Sequence, residues 1–222
     1  MPEPARETLH EGLLIDYGGV LTTPVVHSFR AFCADVGLPP EAVREAFVEA
    51  YRAPEGDGLI QLLETGRMTD TDFGQALAQA LEERTGVQVP ADGVLRRLFA
   101  SVEPEERMLA AVERLRAAGV RTALLSNSWG ESGYPRHRFD ALFDAVVISG
   151  EVGMRKPDPA IFRHALDEIG LSPAACVFVD DLEHNVAAAE ELGISGVLHR
   201  DPEQTIRRLA ALFRLDAARL VD

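Results

Sequence analysis

The rhythm of the chain after Pro104 constrains its fold more than any other feature. Apolar residues recur at helical spacing over 105–118 and stop at Gly119, and apolar runs follow at 120–126 and 145–149. The segment 158–169 is again helical in pattern and ends at Gly170. An apolar run at 176–180 follows, then a helix pattern at 183–192 ending at Gly193, a run at 196–199 and a last helix at 202–215. Strands that alternate with helices bury their apolar faces as a parallel sheet covered on both sides. One further run, Leu13-Leu14-Ile15, ends at Asp16-Tyr17-Gly18-Gly19 and reads as a buried strand that stops in a tight turn.

The block between that first strand and the rest has a different pattern. Segments 42–51 and 70–84 carry apolar residues at three- and four-residue spacing, and Thr69 or Asp70 is placed to cap the second. Gly and Pro punctuate the block at Pro54-Glu55-Gly56-Asp57-Gly58, Gly66, Gly86 and Pro90, and no strand pattern occurs in it. The expected class is therefore α/β. A Rossmann-like parallel-sheet core, residues 1–22 and 103–222, carries an inserted α-helical cap subdomain, residues 23–102, hinged near Thr22-Thr23-Pro24 and Glu103-Pro104.

A formal net charge of −14 argues against nucleic acid or an anionic membrane as a main partner, since both need basic surface. It leaves room for a small phosphorylated molecule, which needs only a local positive pocket. The two cysteines, Cys33 and Cys176, have no metal-like spacing and read as small buried hydrophobes. With a polar N-terminal stretch lacking a signal-peptide core, they point to a reduced, cytoplasmic protein. No apolar run approaches a membrane span. The sequence carries no signal for oligomeric state.

Of 22 basic residues, only Lys156 is a lysine. A lone lysine in an arginine-rich chain suggests a position that wants a compact point charge where a planar guanidinium will not serve. Ligands bind at the carboxyl ends of parallel strands. Three expected strand ends carry reactive groups: Asp16, Ser126-Asn127-Ser128, and Asp180-Asp181. Each alone reads equally well as a turn or helix-cap residue. Together with Lys156 they describe a pocket of three carboxylates, a hydroxyl and an ammonium. Clustered carboxylates stay ionised only if a cation neutralises them, and an oxygen-only donor set selects Mg²⁺.

Four segments, in order, resemble the motifs of the haloacid dehalogenase (HAD) superfamily. They are Leu14-Ile15-Asp16-Tyr17-Gly18-Gly19-Val20-Leu21-Thr22, Leu124-Leu125-Ser126-Asn127, Gly153-Met154-Arg155-Lys156-Pro157-Asp158, and Val177-Phe178-Val179-Asp180-Asp181 with Asn185 and Ala188. The inserted block is similar to the C1-type caps of the phosphatase branch, where Glu64-x-Gly66-Arg67-Met68-Thr69 leading to Phe73 matches a recurrent stretch. The resemblance implies a phosphatase in which Asp16 is both nucleophile and metal ligand. The carbonyl of Gly18 is a second ligand, Asp181 the direct carboxylate ligand, and Asp180 acts through metal-bound water, the last two being interchangeable. Ser126 and the Asn127 amide bind phosphate, and Lys156 bridges Asp16 and phosphate. The implied cofactor is Mg²⁺, and the implied partner is a small phosphorylated substrate.

One position departs from that pattern. Most phosphatases of the superfamily carry Asp two residues after the nucleophile, and here the residue is Gly18. General acid–base help is worth about 10²–10⁴-fold. A substitute donor such as His27, with Thr22 or Thr23 positioning water, or a substrate with a good leaving group, answers the loss. So do a haloacid-type dehalogenase, which works without that acid or Mg²⁺, and a binding or regulatory relative. Trp129, Tyr134 and His137 lie in a loop that either borders the pocket or packs on the core. Arg155 is placed to pair with a carboxylate, and Arg207 and Arg208 read as solvated helix residues.

Overall fold

A computed structural model describes residues 10–52, 58–130 and 134–221. The expected loop at residues 54–58 therefore lies outside the described residues except for Gly58, and so does the middle of the 129–138 loop. Five strands, β1 (Gly12–Ile15), β2 (Arg121–Ser126), β3 (Ala145–Ile148), β4 (Cys176–Asp180) and β5 (Ser195–Leu198), form one sheet in the order β3-β2-β1-β4-β5. Every pairing is parallel. Side chains alternate between two apolar layers. Leu13, Ile15, Leu124, Val177 and Val179 face one side, and Leu14, Ala123, Leu125, Cys176 and Phe178 the other. Both faces are buried, so the strands read as continuous apolar runs without a polar alternation.

The described residues form twelve α-helices: α1 (Val25–Val36), α2 (Pro40–Tyr51), α3 (Leu59–Glu64), α4 (Asp70–Thr85), α5 (Val94–Leu98), α6 (Glu106–Ala117), α7 (Phe139–Leu142), α8 (Ser149–Val152), α9 (Pro159–Ile169), α10 (Glu183–Glu191), α11 (Pro202–Leu212) and α12 (Ala218–Val221). Helix α6 starts at Glu105, whose carboxylate accepts from the Arg107 amide. Helix α9 starts at Asp158 and α4 at Thr69, each capped by its side chain. The third strand is shorter than its apolar run suggests. Ser149 opens α8, and its hydroxyl turns to serve backbone groups. The last long helix stops at Leu212, three residues early, and Arg214 there adopts a left-handed conformation.

Helices α1–α5 share their own apolar cluster, built on Phe32, Phe47, Leu63, Phe73, Leu77, Leu81 and Leu98. Two crossing segments join it to the sheet: the Thr23 amide donates to the Glu103 carbonyl, and Thr22 bridges Pro104. A second contact lies at the other edge. Gly66 has φ +69°, and a Cβ there would stand 2.4 Å from the carbonyl oxygen of Gly150. Left-handed backbone costs a residue with Cβ about 1–2 kcal/mol, and the backbone clash adds to that. Gly66→Ala is therefore expected to lower Tm by about 4 °C or more in a thermal melt. An unchanged Tm would show that this contact does not hold the insert to the sheet.

Candidate functional site

The strand order reverses direction at β1, between β2 and β4, and the polar ends of these three strands meet at this switch point. Lys156, on the loop before α9, is 1% exposed and points its ammonium between two carboxylates. Nζ lies 2.8 Å from Asp16 Oδ1 and 2.7 Å from Asp180 Oδ2. Nζ also lies over the Phe178 ring, 5.6 Å from its centre. Burial alone would lower the lysine pKa. The two carboxylates more than offset that, so the group is held firmly as ammonium. A compact ammonium suits a buried slot between two carboxylates this close better than a wide planar guanidinium, in keeping with the lone lysine in the sequence.

Asp180 is fully buried and its oxygens are engaged. Oδ1 accepts from the Leu182 amide at 2.8 Å, Oδ2 takes Lys156, and the Asn185 amide donates to both. Asp181 is only partly buried. Carboxylate oxygens of Asp16, Asp180 and Asp181 all lie within 4.8 Å of one another. Gly19, at φ +76°, allows that approach, because a Cβ on it would meet Asp181 Oδ2 at 2.6 Å. Burial, then the neighbouring carboxylates, pushes Asp16 up to about 7, against the pull of Lys156. Burial and Asp180 push Asp181 up to about 6. The cluster holds more negative charge than its single ammonium balances.

The second strand end is built differently. The Ser126 hydroxyl pairs with the Tyr134 hydroxyl at 2.9 Å, and burial raises the Tyr134 pKa so that the phenol stays protonated. The Asn127 side chain is a clamp between loops: its Oδ1 accepts from the Lys156 amide at 2.8 Å and its Nδ2 donates to the Lys156 carbonyl at 3.0 Å. Gly18 has no positive φ, and a Cβ there would meet only Val25 Cγ2, at 3.7 Å. Neither backbone nor space demands glycine. The missing side chain instead leaves the site open to a cavity of about 490 Å³ between the sheet and helices α1 and α5, with Tyr17, Gly18 and Ser126 on its core side.

Some expected groups stand elsewhere. His27 is exposed and absent from the cavity wall, because α1 buries Ser28, Phe32 and Cys33 on the opposite face. Thr22 lines the cavity, but its hydroxyl already accepts from the Gly19 amide and donates to the Thr23 carbonyl. Trp129 does both things expected of its loop, packing on Phe47 and Phe99 and lining the cavity. His137 is exposed. Arg155 does pair with a carboxylate, that of Glu64. Glu64 is 1% exposed, its carboxylate is held by Arg155, Tyr51 and Asn127, and its carbonyl accepts from Ser149. Burial raises its pKa against the pull of Arg155. The sequence shows Glu64 only as part of a recurrent stretch, since a glutamate ending a short helix ordinarily faces solvent.

Residues 10–193 match the family model described as haloacid dehalogenase-like hydrolase. The chain is 28% identical over 211 residues to bifunctional epoxide hydrolase 2 of Sus scrofa, an alignment covering 88% of this chain and 37% of that protein. It is 31% identical over 121 residues to sesquiterpene phosphatase astK of Aspergillus oryzae, covering 53% of this chain and 61% of that one. The chain thus spans about a third of the epoxide hydrolases' length. The HAD family enzyme bt-2542 of Bacteroides thetaiotaomicron, solved with magnesium and inorganic phosphate, superposes with a TM-score of 0.62 at 25% identity, covering 86% of this chain and 94% of that one. Among the described residues no helix is long and apolar enough to cross a membrane. With four motif segments on one switch point and a family match over most of its length, the chain belongs to the haloacid dehalogenase-like hydrolases.

Proposed function

We propose that the chain is a Mg²⁺-dependent phosphohydrolase acting on a small phosphorylated metabolite through a phosphorylated Asp16. The observation that carries this reading is the charge balance at the switch point: three carboxylates gathered within 4.8 Å around one ammonium. That donor set, all oxygen and short of positive charge, fits a hard divalent cation. Asp16, Asp181 and the Gly18 carbonyl would hold it. Asp180 would act through a bound water, because its own oxygens are taken by Lys156, Leu182 and Asn185. When bound, the ion neutralises charge on the phosphoryl oxygens. The relatives support the assignment: one is a phosphatase and one was solved with magnesium and phosphate.

A free oxygen of Asp16 attacks phosphorus, the ester P–O bond breaks, and its electron pair leaves on the alcohol oxygen, which takes a proton. Water then attacks phosphorus, the bond from the Asp16 oxygen to phosphorus breaks with its electron pair returning to the carboxylate, and the water's proton restores the group that protonated the alcohol as inorganic phosphate leaves. Lys156 pulls against the rise that burial imposes on Asp16 and aims its carboxylate. The Ser126 hydroxyl, exchanging Tyr134 for substrate, and the Asn127 amide bind phosphoryl oxygens. With Gly18 supplying no acid, the Tyr134 phenol is the protonated group next to Ser126 that meets the leaving oxygen. The insert, residues 23–102, closes over the site and excludes bulk water.

The same charge balance gives a test. Without a cation, the raised pKa values of Asp16 and Asp181 favour the folded protein while these groups are protonated. Their contribution is greatest below the ordinary carboxylate value of 3.8 and is lost as pH rises through about 6 and 7. Mg²⁺ removes that penalty, so its gain in Tm is expected to be larger above pH 7 than below pH 6. An equal gain at both, or none, would count against a cation held by these residues. The glycine at position 18 favours a second reading, a haloacid-type dehalogenase. That chemistry needs no metal and gives no reason for the Asp181 carboxylate beside Asp180.

A further inference from the structure

We infer that the substrate is a phosphate monoester of an apolar body, an alkyl, prenyl-like or aryl group, and not of a sugar or nucleoside; this rests on the phosphohydrolase reading. The cavity that opens past Gly18 holds about 490 Å³, within the range that encloses a small-molecule ligand. Val25, Leu95, Phe99, Val102 and Trp129 form its wall away from the strand ends. Phe99 and Trp129 pack at an angle of 55° with ring centres 5.5 Å apart, so that wall is aromatic.

Apart from Tyr17, which packs on Tyr134 with ring centres 5.1 Å apart beside the strand ends, its polar side chains are already used or exposed. The Thr22 hydroxyl is spent on the turn after β1, and those of Ser126 and Tyr134 pair with each other at the phosphate end. Arg96 and Glu103 also line it, but both are exposed to solvent. A sugar ring presents several hydroxyls, and each one buried without a partner is costly. A hydrocarbon meets no such cost and gains from leaving water.

Trp129 is the chain's one tryptophan, so its fluorescence reports occupancy of this cavity. The test uses wild-type protein with Mg²⁺ and n-alkylphosphonates from ethyl to octyl, which do not hydrolyse, with affinity read by that fluorescence and by calorimetry. Affinity is expected to rise about two- to fourfold per added methylene until the cavity fills. An affinity independent of chain length overturns the inference. Phe99→Ala should flatten the dependence. Ala100→Arg, at an exposed position on the same wall, should flatten it without opening the apolar cluster. Hydrolysis of p-nitrophenyl phosphate by the same preparation separates the two claims. Turnover with a flat series overturns the substrate class alone. A rising series with no turnover supports the apolar pocket and overturns the phosphohydrolase reading beneath it.

Discussion

Lys156→Met is expected to destabilise the protein by about 3–5 kcal/mol and to abolish turnover. The ammonium bridges Asp16 and Asp180 at 2.8 and 2.7 Å, and both carboxylates are buried. Methionine fills most of the stem's volume and removes the charge with its ion pairs and its contact with the Phe178 ring, so the loss is electrostatic and not a cavity. Two carboxylates would then face each other in a dry site with no counter-charge. The loss should shrink at acid pH, where protonation relieves the repulsion, and denaturant melts at two pH values measure this. Lys156→Arg keeps the charge but not the compact shape, and should stay inactive while recovering part of the stability. A variant as stable as wild type at neutral pH would mean that the triad is not under electrostatic tension.

Asp16→Asn is expected to lower kcat by about 10⁴-fold or more, because an amide is not a nucleophile toward phosphorus. Its effect on stability has the opposite sign to that at Lys156. The pKa of Asp16 is raised to about 7, so above that pH its ionised form is disfavoured by the folded environment. Asparagine keeps the shape and drops the charge. Tm above pH 7 is therefore expected to match or exceed that of wild type. Two inactive variants, one destabilised and one not, separate the loss of chemistry from the loss of fold. A lower Tm for Asp16→Asn would show that its ion pair with Lys156 outweighs its burial.

The core was legible because its signals are local. A strand buried on both faces must be apolar throughout, and Leu13-Leu14-Ile15 and Cys176-Val177-Phe178-Val179 are; a strand end at a switch point must offer polar atoms, and each of the three does. Lys156 stood out because every other basic residue is arginine. What the sequence hid depends on contacts between distant segments. Glu64 is read by Arg155, 91 residues later, and Tyr134 reaches Ser126 through a loop whose path no pattern encodes. His27 looked eligible as a proton donor because proximity to Asp16 along the chain says nothing about helix phase, and the phase of α1 turns it to solvent. The cavity wall joins residues of α1, α5 and the loop after β2, so its apolar character emerges only once those elements are packed.

The most direct test of the central claim is release of inorganic phosphate from p-nitrophenyl phosphate, measured for wild type and Asp16→Asn with Mg²⁺ and with chelator. Its leaving group needs little protonation, so the glycine at position 18 should not mask activity. The account predicts turnover only when Mg²⁺ and Asp16 are both present. Folded wild-type protein that releases no phosphate, yet frees halide from chloroacetate without metal, would contradict it and assign the same aspartate to carbon chemistry.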